Sequence, residues 1–232
     1  MTVVKSGVSG RRAEYDPSKI SSEDIANELS LLALGDVIPL DIKIDTNLLS
    51  HNLRKFEADW QPYLPRDDRP NNRYGLTLTT YPGYTHKNAP SLAEISVEQR
   101  RRVSETECNA QTDVYRECIA LQPLFTEFPD LGRSFFVRSD IGGYFVPHRD
   151  HPAIPRDVFR LIAFVKNCGP YEYDWIMEDQ KLPIEEGRVY YVNTRKMHRT
   201  ISWVNGSTHL IMNVPFNTKN VAKVLAHLQH RH

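Results

Sequence analysis

Two residues in the C-terminal half have side chains and a spacing suited to binding a metal ion. The segment VPHRDHP places His148 and Asp150 two residues apart, directly after a strand-like run. Residues i and i+2 of an extended chain point to the same side, so this imidazole and this carboxylate can reach one ion. Taken alone, such a triplet is more often a surface histidine beside an aspartate.

His198 supplies a third potential ligand. It comes 48 residues after Asp150 and follows the strand-like GRVYYVN through the short connection TRKM. That distance leaves room for several strands before a second imidazole returns to the same end of a β structure. Two histidines and one carboxylate form the facial triad of non-haem Fe(II) sites, which keep positions open for co-substrate and dioxygen. The same ligands also suit Zn²⁺ with an open position for water.

The elements that must position these residues are short strands. From about residue 135 to 216, apolar or alternating runs are separated by Gly, Pro, Asn and Asp, a pattern typical of an all-β barrel or a two-sheet jelly roll. The runs are FFVRS, GYFVPH, VFRLIAFV, GRVYYVN, HRTISWV and HLIMNVPF. A closing helix is predicted over residues 218–230, with Val221, Val224, Leu225 and Leu228 on one face.

The N-terminal half predicts helices and strands that buttress this barrel. Residues 1–20 lack apolar periodicity and are expected to form a flexible arm, and residues 21–232 a single domain. A helix should begin at Ser21, with Asp24 completing a capping box, and end at Gly35. The apolar positions that support the predicted elements are Ile25, Leu29 and Leu32 for this helix, Leu40, Ile42 and Ile44 for a strand, Leu49, Leu53, Phe56 and Trp60 for a second helix, and Leu76 and Leu78 for a strand over residues 73–81.

Composition excludes several classes of partner. The 232 residues carry 29 Lys+Arg and 29 Asp+Glu, so the formal net charge is zero and the basic surface of a nucleic-acid-binding protein is not expected. No run of about 18 apolar residues predicts a membrane span. The three cysteines are too few and too scattered for a disulfide framework, and the first residues contain no apolar signal segment. We therefore expect a cytoplasmic protein.

Four segments together resemble one branch of a known oxygenase family. PHRD, FRLIAFVKN, GRVYYVNTRKMH and HLIMNV are similar to the aspartyl/asparaginyl β-hydroxylase-like branch of the Fe(II)/2-oxoglutarate-dependent oxygenases, which includes hydroxylases of free proline. The resemblance covers residues 135–215. It implies a mainly β fold with flanking helices, specifically a double-stranded β-helix of the cupin-like jelly-roll type.

The resemblance also implies an activity. His148, Asp150 and His198 would hold Fe(II), with 2-oxoglutarate and dioxygen as co-substrates. The reaction would hydroxylate an unactivated C–H bond of a small, amino-acid-like substrate and release succinate and CO₂. Related halogenases lack the carboxylate ligand, so Asp150 favours hydroxylation. A peptide or protein side chain is the main alternative substrate.

The chain departs from the family where the distal C5 carboxylate of 2-oxoglutarate should be anchored. The family arginine falls at Ser207, two residues before the final HL. Arg160 matches a family arginine that faces the co-substrate or substrate carboxylate, although it could instead pair with Asp157. Other potential co-substrate residues are Arg138, Lys196 and His209, together with Asn167 and Asn193, which match family asparagines but could be turn residues. Arg73 or Arg138 could recognise a substrate carboxylate.

Two further classes remain open. A zinc hydrolase could use the same ligands, but no general base such as the Glu of HExxH is evident. A non-catalytic β-barrel binding module would use its histidines structurally.

Overall fold

The computed structural model describes residues 20–63, 71–150 and 157–228. Apart from Ile20, the arm predicted over residues 1–20 lies outside the described residues. The helices are α1 (Ser22–Leu34), α2 (Thr46–Leu53), α3 (Leu92–Glu98), α4 (Asp113–Glu117), α5 (Gln122–Glu127) and α6 (Thr218–Ala226), and 3₁₀ turns follow α2 and precede β4 and α5. The strands are β1 (Val37–Lys43), β2 (Gln61–Pro62), β3 (Arg73–Thr80), β4 (Ala110–Gln111), β5 (Ser134–Ser139), β6 (Tyr144–His148), β7 (Val158–Lys166), β8 (Tyr173–Met177), β9 (Gln180–Lys181), β10 (Arg188–Val192), β11 (His198–Ser202) and β12 (Ser207–Pro215).

The strands form two antiparallel sheets. The major sheet has the order β1-β10-β7-β12-β5-β3-β2, with β4 also pairing β3, and the minor sheet has the order β6-β11-β8-β9. From β5 to β12 the chain passes back and forth between the two sheets. This connectivity is that of a jelly roll, and it confirms the predicted double-stranded β-helix.

Each of the six strand-like runs forms a strand, and β8 is an additional strand that was not predicted. Its inward residues Tyr173, Trp175 and Met177 are all buried and pack against β7 and β10 of the major sheet. Their spacing of two is the signal for a half-buried strand. The polar residue Asp174 and the short length obscure that signal.

Helices cover one face of the major sheet, and the minor sheet faces the other. Because both faces are covered, β3 is buried at nearly every position, including Thr77 and Thr79, which the alternating pattern places on a solvent face. The buried threonines are satisfied locally: the Thr77 hydroxyl donates to Asn88 O at 2.7 Å, and the Thr79 hydroxyl donates to Gly132 O. The helical layer therefore supports the barrel that carries the metal-ligand candidates.

The two terminal helices differ in part from expectation. The capping box of Ser21 and Asp24 is present, and Gly35 ends α1. The apolar stripe of α1, however, is exposed, and Asn27 and Leu31 face the core instead. At the other end, α6 stops at Ala226, four residues before the predicted boundary. Within the described residues, no helix is long and apolar enough to cross a membrane.

Candidate metal centre

Neighbouring strands of the minor sheet bring the three predicted ligands together. His148 ends β6 and His198 begins β11, and the two residues are direct partners in the antiparallel ladder. Direct partners point to the same face of a sheet, and here the two imidazole centroids lie 4.3 Å apart. Asp150 follows β6 by two residues, where its backbone N–H donates to Thr194 O at 2.8 Å. The HxD segment is thus tied to the connection that precedes His198.

The side-chain geometry suits a single ion. His148 Nε2 lies 3.4 Å from Asp150 Oδ1, and His198 Nε2 lies 3.5 Å from Asp150 Oδ2. One ligand atom from each residue falls within 4.8 Å of the others. An ion about 2.1 Å from two adjacent ligands separates them by about 3 Å, so small side-chain adjustments complete the coordination.

Backbone carbonyls select the nitrogen that each histidine would offer to an ion. His148 Nδ1 lies 2.7 Å from Val146 O, and His198 Nδ1 lies 2.9 Å from Lys196 O. A carbonyl accepts only, so each Nδ1 carries the proton and each Nε2 keeps its lone pair for a metal. Metal-binding histidines commonly donate their second ring N–H to a carbonyl in this way. A pair of histidines with a purely structural role does not require that hydrogen bond in both residues.

Arg160 holds the third ligand. Its guanidinium pairs with Asp150 Oδ2, while its Nε donates to Asn213 Oδ1 at 3.0 Å. Burial acts to raise the pKa of the Asp150 carboxyl, but the nearby charge of Arg160 outweighs it and holds that pKa below its ordinary value. Burial lowers the pKa of His148. The site therefore presents a carboxylate and a neutral imidazole, the forms that bind cations.

The donor set fits Fe(II) or Zn²⁺ by its chemistry. It consists of two imidazole nitrogens and one carboxylate, and it lies at one end of the barrel. The Trp175 ring stacks on His198 with centroids 5.8 Å apart, and His198 itself is buried. Three protein ligands leave coordination positions for other molecules.

Arg160 and Asn193 lie at the metal end, but their contacts differ from those expected. Arg160 pairs with the ligand Asp150 and not with Asp157. Asn193 Nδ2 donates to Asp36 Oδ1 at 2.9 Å, so its amide fastens the connection before β1 to the barrel. Thus Arg160 stabilises one of the ligand candidates.

Two predicted co-substrate residues, Arg138 and Asn167, have their contacts away from the metal-ligand candidates. Arg138 points to the helical face of the major sheet, where it pairs with Glu57 at 2.6 Å and its guanidinium lies 4.6 Å from the centre of the Trp60 ring. Strand alternation puts its neighbours, and not Arg138, on the barrel side. Asn167 is a turn residue with φ of 52°, and its side chain donates to Asn205 O. Lys196 is on the rim, half exposed, between Asp36 and Glu178.

His209 lies inside the barrel, surrounded by aromatic rings. Its ring centroid is 5.5 Å from that of Tyr173 and 5.8 Å from that of Trp175. Its Nδ1 is buried with no hydrogen-bond partner among the described residues. Burial lowers the pKa of His209 to about 3, so the imidazole is neutral at neutral pH.

The sequence did not point to Asn213 or Thr200 as parts of this interior. Asn213 is buried on β12, opposite Arg160 in the ladder, and it orients the guanidinium. Thr200 lies one inward position beyond His198, and its hydroxyl is buried. The polar residues recurring at every second position in apolar strands are the signal that could have identified both.

No family model matches the sequence, and no curated protein matches it. Solved structures with a similar fold include a prolyl-4-hydroxylase from Pseudomonas putida, 13% identical over 82% of this chain and 98% of that chain, with a TM-score of 0.45. A prolyl hydroxylase from Trichoplax adhaerens, in complex with a hypoxia inducible factor peptide fragment, is 8% identical over 90% and 97%, with a TM-score of 0.45. A collagen prolyl hydroxylase of Paramecium bursaria Chlorella virus-1, in a 2-oxoglutarate complex, is 12% identical over 77% and 94%, with a TM-score of 0.40. The similarity of these three structures to this chain is a similarity of fold.

Proposed function

We propose that this protein is an Fe(II)/2-oxoglutarate-dependent dioxygenase that hydroxylates an unactivated C–H bond of a small, amino-acid-like substrate. The overall reaction consumes dioxygen and 2-oxoglutarate, inserts one oxygen atom into the C–H bond, and releases succinate and CO₂. The observation that carries the proposal is the convergence of His148, Asp150 and His198, both histidines with Nδ1 bound to a carbonyl. Fe(II), when bound, supplies the oxidising chemistry.

The residues of the chain position and shield the reacting groups. His148 and His198 keep a fixed tautomer, and Arg160 leaves Asp150 one carboxylate oxygen for the metal by engaging the other. A ligand whose second oxygen is engaged in this way binds with one atom and leaves more coordination positions open. The buried rings of Trp175 and His198 keep bulk water from the inner side of the site.

Rim charges support an amino-acid-like substrate. Lys196 Nζ, two residues before His198, lies 3.7 Å from Asp36 Oδ2 and 3.6 Å from Glu178 Oε1. A zwitterion entering here meets a cation for its carboxylate and carboxylates for its ammonium group. A neighbouring cleft of about 870 Å³, lined by Met177, Glu178 and Tyr190 among others, supports the alternative of a peptide or protein side chain.

Anaerobic spectroscopy provides the first test of the proposal. Fe(II) with 2-oxoglutarate should give the weak metal-to-ligand charge-transfer absorption of a chelated keto acid. His198→Ala should abolish this band, and it should lower substrate-stimulated succinate formation at least about 100-fold, because losing even the partner of a metal ligand costs about 10- to 100-fold. His51→Ala, an exposed helix histidine, is the matched control and should change neither.

A panel of free amino acids and short peptides, assayed for succinate formation, then identifies the substrate class. Stimulation by a free amino acid supports the proposal, whereas stimulation by peptides alone supports the alternative. The absence of the absorption band combined with hydrolysis by the Zn²⁺-loaded protein would identify a zinc hydrolase. The absence of the band together with the absence of both activities would leave a binding module.

A further inference from the structure

The position where the family places an arginine is one member of a row of residues across the major sheet. Ser207 on β12 is the direct partner of Ser139 on β5, and Ser139 is in turn the direct partner of Arg73 on β3. Direct partners share a face. Arg73 therefore projects from the same face as Ser207, two strands away, and the one side chain between them, that of Ser139, is small.

This face is the inside of the barrel. The Arg73 guanidinium carbon lies 3.9 Å from the centre of the Phe145 ring, which belongs to β6 of the opposite sheet. The Phe145 ring in turn stacks on His148 with centroids 6.0 Å apart. Arg73 is only 5% exposed. A guanidinium on this chain thus spans the interior and reaches the ring that adjoins a metal ligand.

Polar atoms collect between Arg73 and the metal ligands. The hydroxyls of Thr200 and Tyr173 are buried there as close neighbours of one another, and His209 Nδ1 is buried without a hydrogen-bond partner among the described residues. An unsatisfied buried polar group costs about 1–3 kcal/mol, so these groups are suited to accepting or donating hydrogen bonds to a polar ligand. Burial raises the pKa of Tyr173, keeping the phenol protonated as a donor, and the charge of Arg73 is close enough to oppose that rise.

Two further arginines of the described barrel contact the metal end of the barrel or the backbone. Arg160 holds Asp150 and Asn213. Arg133 donates through Nε and Nη2 to Pro90 O, at 3.0 and 2.7 Å. Neither lies in the row of Ser207, which contains Arg73.

We propose that Arg73 binds the distal carboxylate of the dicarboxylate co-substrate, in place of the family arginine, with the Thr200 and Tyr173 hydroxyls as further donors. A guanidinium is the preferred partner of a carboxylate because it donates two parallel hydrogen bonds. The row explains how an arginine on a different strand can serve the same carboxylate: Arg73 on β3 projects from the same face of the sheet as Ser139 and Ser207. This inference rests on the proposed function and specifies how its site selects a dicarboxylate.

Calorimetric binding to the Fe(II)-loaded protein under anaerobic conditions tests the proposal without turnover. Wild type should bind 2-oxoglutarate about 100-fold more tightly than 2-oxobutyrate, which has the same keto acid group but no distal carboxylate. Arg73→Met should weaken 2-oxoglutarate binding by about 100-fold and leave 2-oxobutyrate and Fe(II) affinity within about threefold of wild type. Arg138→Met removes an arginine from the opposite face of the same sheet and should leave all three affinities unchanged.

Two results would overturn the anchor assignment. One is a folded Arg73→Met protein, by circular dichroism, that binds 2-oxoglutarate like wild type. The other needs no variant: wild-type protein that binds 2-oxobutyrate as tightly as 2-oxoglutarate has no distal-carboxylate anchor. Both results leave the oxygenase proposal intact. A wild-type protein that binds Fe(II) but neither keto acid would refute the proposed function and this inference together.

Discussion

At the scale of single residues, His209 shows how the barrel interior treats a titratable group. Its ring lies among Phe164, Trp175 and Tyr173, none of which is charged near neutral pH, because burial raises the pKa of the Tyr173 phenol further. The environment therefore disfavours the imidazolium form, and the pKa of His209 falls to about 3. His209 is therefore a neutral polar ring inside the barrel at neutral pH.

This pKa predicts a loss of stability in mild acid. Between about pH 6.5 and pH 3 the unfolded chain binds a proton at His209 that the folded chain does not, so the free energy of unfolding falls as the pH falls. From pH 6.5 to pH 5 this residue alone should cost about 2 kcal/mol. Urea unfolding of the ligand-free protein at pH 6.5 and at pH 5 measures this difference in the free energy of unfolding. His209→Phe should reduce the pH dependence by that amount, and an unchanged dependence would contradict the buried neutral ring.

At the scale of elements, α1 illustrates why an apolar pattern on a helix does not always mark its buried side. Leu29 is 61% exposed, whereas Leu31 is fully buried. Asn27 is also buried, and its Nδ2 donates to Thr218 Oγ1 at the start of α6, 2.9 Å away. The contact with α6 thus selects the buried side of α1, and the stripe that includes Leu29 is left in solvent.

A pair of alanine variants separates the two sides of α1. Leu31→Ala should lower the free energy of unfolding by about 2–5 kcal/mol, because it leaves a cavity in the core. Leu29→Ala, its matched control, should change it by less than about 0.5 kcal/mol. Urea titrations of both proteins provide the measurement. A larger effect at Leu29 would mean that another surface covers the stripe.

At the scale of the whole molecule, the three cysteines report on the integrity of the fold. Cys108, Cys118 and Cys168 are free thiols, all fully buried, and they lie in three different clusters of the core. Burial raises the pKa of Cys108 and of Cys118 to about 12. Thiolates are therefore scarce and inaccessible while the protein is folded.

Thiol reactivity should consequently follow unfolding. An aromatic disulfide reagent at pH 8 releases one coloured aromatic thiolate for each cysteine that reacts. The native protein should release almost none within minutes, and the protein in concentrated urea should release three equivalents at once. The rate in intermediate urea should match the unfolding transition seen by circular dichroism. Rapid labelling of one thiol in the native state would show that its cluster opens locally.

The sequence by itself predicted six strands of the barrel and the pair His148 and Asp150, because both depend on local regularities. His198 came from the ligand set of a facial triad and from the family resemblance, since it lies 48 residues beyond Asp150. An alternation of period two marks a strand, and an HxD triplet projects two ligands to one side of it. His148 and Asp150 are therefore near one another in any extended arrangement. The sequence also indicated where the family arginine is missing, at Ser207.

Only the tertiary structure decided which partners these residues meet. Strand pairing over long separations placed Arg160 against Asp150 and Asn213, and it sent Arg138 to the helical face. The same pairing put Arg73 in one row with Ser207, although 134 residues separate them in the chain. No local pattern encodes such a row, because register between distant strands is set by the packing of whole sheets.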